Sequence, residues 1–560
     1  MPLFGELRAW LRERATWLAA GYSLLLLGFS ALLLWKNQAI YLSVWVHDNF
    51  TYMDGAYRLT QGQLPHLDFI TPIGLWGYVL PFLGLKITGS YTLMLPLTDL
   101  IFMAIALGLC LAAAWQRLGT LSGLLLVTYV WLVSAAPLNA GDTANYISYS
   151  MFYNRYGWAL LLVVFTLYID PQSTDKKKAL SDVCVGAIAL VMLLYLKVSY
   201  FAVVLAFLAM LCLKSKYHRK VAFYCFLILA VCVISLELIM PGLNLAYFHD
   251  LRLALQSSGA VRGGKYAAIN FIYKNLFELL LISAVIWFST RIIKFRLLDA
   301  CFVSYVTLSS CAILNQNAQN SNLVALFPIC LWAMEKARSQ SGQAVGNQRE
   351  GSAKGNGFAY AGLVALSVLL LAQPFLDRAY GLVIMNARSR PMAQSRPMAL
   401  DKLPNAYVYK DSDYISGIDR DSYGLAELFT IRERQRRGWL AELEYVETIE
   451  DGVALLKKNS RPGDSVAIMD MVNPFNFLLD LHPPRGAYSF FHLNRTFNLA
   501  KARPKPAALA EASLVMIPNY PIELAERNAL LQIFAPVLRR DFAEAARDRY
   551  WTLLRRKTPS

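Results

Sequence analysis

Charge is scarce in this chain. Only 16% of its 560 residues are charged, and acids are fewer than bases, 38 Asp and Glu against 54 Lys and Arg. Cysteine is also sparse. All eight (Cys110, Cys184, Cys212, Cys225, Cys232, Cys301, Cys311 and Cys330) fall in or beside apolar runs, and none lies in the C-terminal third. A disulfide framework there is excluded. No Cys-x-x-Cys spacing argues for zinc. No glycine-rich phosphate loop occurs, so nucleotide binding has no support.

What is abundant is apolar: 56% of the residues, with a mean hydropathy of +0.39. A soluble chain of this size carries more charge and fewer long apolar runs. Runs near the ~20 residues needed to cross a hydrocarbon layer as helix recur. They are Trp17–Trp35, Thr92–Trp115, Gly119–Ala136, Gly157–Ile169, Val183–Leu196 and Tyr200–Leu213. Val221–Met240, Leu276–Thr290, Leu298–Leu314, Leu323–Met334 and Phe358–Leu376 follow, so about eleven spans are expected. Several fall short of a perpendicular crossing, which predicts tilt or recessed ends. Trp76–Leu85 is too short to cross and is expected at the interface.

Orientation follows from the basic loops. Arg8, Arg12 and Arg14, then Arg117, Lys176–Lys178, Lys214 to Lys220, Arg291 to Arg296 and Lys336 to Lys354 all fall on one side of an eleven-span chain, the cytoplasmic side. The loops holding Asp48, Asp142–Arg155, Pro241–Lys274 and Asn315–Asn322 then face outward. Much of the net charge of +16 is therefore a topology signal, and nucleic acid is not an expected partner. The N-terminus has no small-residue cleavage pattern, so the first span is expected to stay as an anchor. The fold class expected is mainly α, a multi-pass helix bundle in the cytoplasmic membrane over residues 1–376. Residues 377–560 are expected to form a C-terminal extracytoplasmic α/β domain.

In that domain Ile449–Lys458 is amphipathic, Pro462-Gly463-Asp464 makes a turn, and Ser465–Met469 reads as a buried strand. Lys505–Ala512 and Ile522–Ile533 read as helices. Leu514–Ile517 and Tyr550–Leu554 read as strands. Ser339–Gly357 has the composition of a linker before the last span.

The polar residues worth attention cluster in the outer loops. After Asp48, the residues Phe50, Met53, Tyr57 and Leu59 approximate one helical face, so Asn49–Gln61 is expected to be an amphipathic helix at the membrane surface. Asp48 then stands at its N-cap, or acts as a general base on an acceptor hydroxyl, or both. Arg58 and Lys197 are candidates for holding a phosphate, because an ammonium at membrane depth needs a partner. Tyr52, Asp142, Asn154 and Arg155 mix polar and aromatic character suited to a sugar, with an interfacial belt as the alternative. Gln316 and Gln319 lie in an amide-rich outer hairpin that can donate to and accept from hydroxyls. His66 and Asp68, one residue apart, offer a divalent cation two ligands, or order their loop. Asp99 is expected to be a contact inside the bundle, and Arg432, Arg434, Arg436 and Arg437 a solvated face or an acceptor contact.

Asp48-Asn-Phe-Thr-Tyr52, Ala56-Tyr-Arg-Leu59, Gly62-Gln-Leu-Pro-His-Leu-Asp-Phe69 and Pro72-Ile-Gly74 together resemble the first external loop of GT-C glycosyltransferases, such as the aminoarabinose transferases and protein O-mannosyltransferases. The motif covers about 30 residues, and the span pattern extends the resemblance along the chain. It implies a polyprenyl-phosphate-linked sugar donor, a protein, lipid or glycan hydroxyl as acceptor, and Asp48 as the base. Many members have Glu after that Asp; this chain has Asn49. Two other functions compete. An O-antigen polymerase or ligase would move whole glycans from a pyrophosphate carrier, using Arg and His in large outer loops. A lipid-linked glycan transporter would show half-symmetric repeats and charges within its spans, and few of either are seen.

Overall fold

The computed structural model describes residues 2–138, 147–257, 272–273, 275–317, 326–344, 360–369, 372, 376, 378–379, 395–409 and 442–557. For 2–16, 292, 316–317, 340–344 and 409 it describes the backbone alone. The chain is mainly helical, with two small sheets.

Helix α1 (Pro2–Asn37) leads to a short strand β1 (Ile40–Leu42) and the helices α2 (Val46–Thr60) and α3 (Trp76–Thr88). The bundle continues as α4 (Tyr91–Ala114), α5 (Thr120–Ala135), α6 (Phe152–Phe165), α7 (Lys176–Leu194), α8 (Val198–Leu211) and α9 (Lys216–Ile239). Then come α10 (Leu243–Ser257), α11 (Leu276–Ile292), α12 (Leu297–Asn317), α13 (Phe327–Ala344) and α14 (Tyr360–Leu369). The first nine expected spans fall on helices, and the described parts of Leu323–Met334 and Phe358–Leu376 fall largely on helices too. Among the described residues four helices are long and apolar enough to cross a membrane: Trp17–Asn37, α4, α9 and Leu297–Asn315. The expected short spans are short helices here. At 14 residues α6 rises only ~21 Å. It is buried almost throughout, so its neighbours and not lipid set its length. By contrast α9 points Leu238 and Ile239 outward, 76% and 74% exposed, an apolar surface that water does not favour and lipid does.

The basic loops gather at one end of this bundle. Arg117 holds Asp182 through two bonds of 2.6 and 3.1 Å, and Lys178 and Tyr217 join the same carboxylate. Lys214 pairs with Asp170, and Lys336 with Asp299, which also accepts from Tyr168. Helices α6 and α7 run from this end to the other, where Asn154 and Lys197 lie.

At that other end stands the C-terminal part: β2 (Ser395–Pro397), β3 (Ala406–Tyr409), α15 (Glu442–Asn459), β4 (Val466–Ile468), α16 (Phe475–Leu479), β5 (Leu514–Pro518), α17 (Leu524–Asp541), β6 (Phe542–Arg547) and β7 (Trp551–Arg556). Its larger sheet runs β4-β5-β7-β6, parallel at the first pair and antiparallel beyond. Strand alternation explains how both faces are covered. Val466, Ile468, Leu514 and Met516 join the core shared with α15 and α2, while Ala467, Met469 and Val515 pack with Leu530 and Phe534 of α17. The strands expected at Ser465–Met469, Leu514–Ile517 and Tyr550–Leu554 are β4, β5 and β7. Lys505–Ala512 keeps only a single 3₁₀ turn, Pro506–Leu509, after proline at its start.

The two parts are not separate bodies joined by a linker. β1 pairs in parallel with β3, Ile40 opposite Ala406, so the segment after α1 supplies a strand to the three-stranded sheet β1-β3-β2. The loop after α2 is pinned twice more: Ile70 pairs with Tyr488, and Trp76 N–H donates to Tyr195 O at 2.8 Å. Gly74 sits so close to that turn that a Cβ would lie 2.3 Å from Tyr195 O, a backbone atom with no room to yield. Gly74→Ala is expected to cost about 1–3 kcal/mol of stability. It should show as a lowered melting temperature of the detergent-purified protein; an unchanged melt would contradict this seating of the loop.

Candidate active site

Helix α2 starts at Val46, three residues before the expected Asn49, and this changes the role of Asp48. The residue before the helix is Trp45, held in the left-handed region at φ 55° with no side-chain cap of its own. The cap comes from the far end of the sequence. Glu442, at the first turn of α15, accepts from Trp45 N–H at 2.8 Å and Val46 N–H at 3.0 Å. A carboxylate there satisfies two orphan donors and faces the positive end of the helix dipole. Burial still pushes the Glu442 carboxyl above its usual range. Asp48 is thus not the N-cap.

Nor does α2 lie with one face in water. From Val46 to Arg58 every residue is buried except Asp48, whose side chain is 28% exposed. Its nearest ionisable partner is His47, Nε2 to Oδ1 at 3.6 Å. Asn49 is buried and donates to Trp45 O at 2.8 Å. The helix therefore offers one acid to an opening and covers the rest.

Two cations, Lys197 and Arg495, are candidates with it. Lys197 occupies the turn between α7 and α8 and donates to Asn154 Oδ1 at 2.6 Å. Its ammonium also lies over the Tyr153 ring, 4.7 Å from the centroid. Desolvation, and then the charge of Arg495, pull the ammonium down to about 7. Arg495 comes from the exposed turn after His492 and pairs with no carboxylate among the described residues. Burial, and then the charge of Asp48, raise the Tyr153 hydroxyl above its usual range. Tyr52 lines the same place. Its hydroxyl accepts from Met151 N–H at 3.1 Å, and its ring meets Phe152 at 4.7 Å. An apolar groove of about 350 Å³ between α7, α8, α9 and α10 is walled by Leu194, Tyr195 and Phe201, the residues that flank Lys197 in sequence.

Other expected residues are placed elsewhere. Arg58 is 1% exposed and fully engaged: Asp54 at 2.7 Å, Gln63 at 3.0 Å and Pro484 O at 3.0 Å. It fastens the C-terminal part to α2 and is not available to a phosphate. Burial raises the Asp54 carboxyl while Arg58 pulls it back. Arg155 follows Asn154 in sequence but points into the bundle, where it grips Asp99 at 2.9 and 3.0 Å and two carbonyls of the α5 end. The expected partnership of Asn154 with Arg155 fails because successive residues on a helix diverge by ~100°. Asp99 is the bundle contact expected of it.

His66 and Asp68 also part company. His66 sits at φ 71° and pairs with Asp250 at 2.9 Å, while Asp68 accepts from Leu64 N–H at 2.8 Å and faces Arg485. They do not converge on a common ion. Asp142, Gln319 and Arg432 to Arg437 fall outside the described residues, as does the side chain of Gln316. Arg495, Tyr153, His47 and Glu442 escaped the sequence reading, since nothing local marks a lone arginine or glutamate so far along the chain.

No protein-family model matches the chain, and no curated protein does. Among solved structures, ArnT from Cupriavidus metallidurans in the apo state superposes with a TM-score of 0.45 and 11% sequence identity, over 96% of this chain and 98% of that one.

Removing the remote cap should be felt locally. Glu442→Ala is expected to cost about 1–2 kcal/mol, and Glu442→Gln less, because an acceptor survives. Thermal melts of the three proteins check this, and equal melting temperatures would refute the cap.

Proposed function

We propose that this chain is a membrane glycosyltransferase of the GT-C class. It takes one hexose or pentose from a polyprenyl-phosphate donor and adds it to a hydroxyl on protein, lipid or glycan. The observation that carries the reading is the exposure of Asp48 alone on an otherwise buried helix. The loop motif around Asp48 supports the class.

Asp48 accepts the proton of the attacking hydroxyl as the new bond to the anomeric carbon forms. The bond from that carbon to the phosphate oxygen breaks, and the polyprenyl phosphate leaves with one more negative charge. Lys197 and Arg495 stabilise that charge. They are held in place before the reaction, so no reorganisation opposes them. Asn154 and Tyr153 position the Lys197 ammonium. The apolar groove beside Lys197 suits the first isoprene units of the lipid. One displacement from the face opposite the phosphate inverts the anomeric configuration.

The basic loops at the far end of the bundle support a cytoplasmic placement of that end by the positive-inside rule, with Asp48 and the C-terminal part outside. In this reading the outer domain shapes the acceptor entrance.

The first test compares masses of envelope glycans, lipids and proteins from cells with the chain, without it, and with Asp48→Asn. The expected result is one sugar increment that requires the chain and is lost in Asp48→Asn at normal expression. A normal increment in that variant would remove Asp48 as the base. Separately, Lys197→Ala and Arg495→Ala should each weaken binding of a polyprenyl-phosphate sugar about tenfold or more, the loss of a charge-assisted contact. Unchanged donor affinity in both would take the phosphate away from this turn.

A further inference from the structure

The outer domain holds a second convergence of polar groups that the transfer reaction does not use. Glu523 immediately precedes α17 and Glu526 lies three residues on, so one turn of helix puts both carboxylates on the same side. His492 reaches them from the turn that carries Arg495. Potential ligand atoms of the three residues lie within 4.8 Å of one another. His492 Nδ1 stands 3.1 Å from Glu526 Oε1, which also accepts from Leu493 N–H at 3.0 Å.

Two facts set this group apart from an ordinary acidic helix start. Glu526 is fully buried, yet its Oε2 finds no hydrogen-bond donor. And no lysine or arginine among the described residues pairs with Glu523 or Glu526. Two adjacent carboxylates under cover repel each other and call for a positive partner, which a proton or a metal ion can supply.

We propose that His492, Glu523 and Glu526 bind one divalent cation of the zinc class. One imidazole nitrogen and carboxylate oxygens form a donor set of intermediate hardness, suited to zinc and manganese more than to calcium. Glu523 is partly exposed and gives the ion its way in. The ion also has a structural consequence. His492 O accepts from Arg495 N–H at 3.0 Å and Thr496 N–H at 2.9 Å, so anchoring His492 anchors the turn that presents Arg495.

The test uses the full chain in detergent, stripped with a chelator, dialysed against zinc chloride and washed. Metal per chain is measured by mass spectrometry of the elements, alongside Glu526→Gln and His492→Gln. The wild type is expected to retain about one zinc per chain and to gain melting temperature on its addition, by mass action. Both variants should retain at least about tenfold less and lose the shift. His492→Gln keeps both carboxylates at the helix start, so it stays informative if Glu526→Gln does not fold. Zinc retention by the wild type no greater than by the variants, with no melting shift from zinc or manganese, would overturn the site and leave a shared proton in its place. Metal retention is read without any sugar donor, so this outcome is independent of whether Asp48 transfers sugar.

Discussion

A carboxylate from the last third of the chain, Glu442, closes the start of a helix from its first tenth. The rest of the proposed site depends on that contact. A helix start leaves backbone N–H groups unsatisfied, and some acceptor must meet them. If Asp48 met them, its oxygens would be spent on the backbone. With Glu442 in that role, Asp48 sits in the first turn with its carboxylate at the surface of an otherwise buried helix. The same docking is reinforced along α2 by Arg58 and Gln63, whose side chains reach the carbonyls of Pro484 and Pro483, and by Tyr57 on Leu481. The acid is mounted between two packed bodies, and this fixes where it points.

The two ends of the bundle treat charge differently. At the basic end each buried cation meets a carboxylate: Arg117 and Lys178 share Asp182, and Lys336 takes Asp299. Such groups neutralise each other and hold helices together. At the other end Lys197 donates to the Asn154 amide oxygen and lies over the Tyr153 and Tyr200 rings. Arg155 shows the contrast within one helix turn, since its bidentate hold on Asp99 makes it part of the scaffold.

Much of this was legible in sequence because it rests on local periodicity. Apolar length placed the helices, the alternation at Ser465–Met469 and Leu514–Ile517 placed β4 and β5, and loop charge separated one end of the bundle from the other. Asp48 and Lys197 stood out because a charge near an apolar span is costly and rarely idle. The misjudged residues share another trait: their roles depend on partners far along the chain. Arg58 looked free because Gln63 and Pro484 could not be seen beside it, and His66 looked like a neighbour of Asp68 until Asp250 claimed it.

Sequence alone therefore determined the helical character, the segment order and the charge of the loops, because each follows from residues within a few turns of one another. Tertiary structure alone decided that Glu442 and not Asp48 caps α2, that Arg58 is taken up by Asp54, Gln63 and Pro484, and that β1 pairs with β3. Those outcomes turn on which buried polar group finds which partner. That choice is made by packing between segments hundreds of residues apart, and no local pattern encodes it.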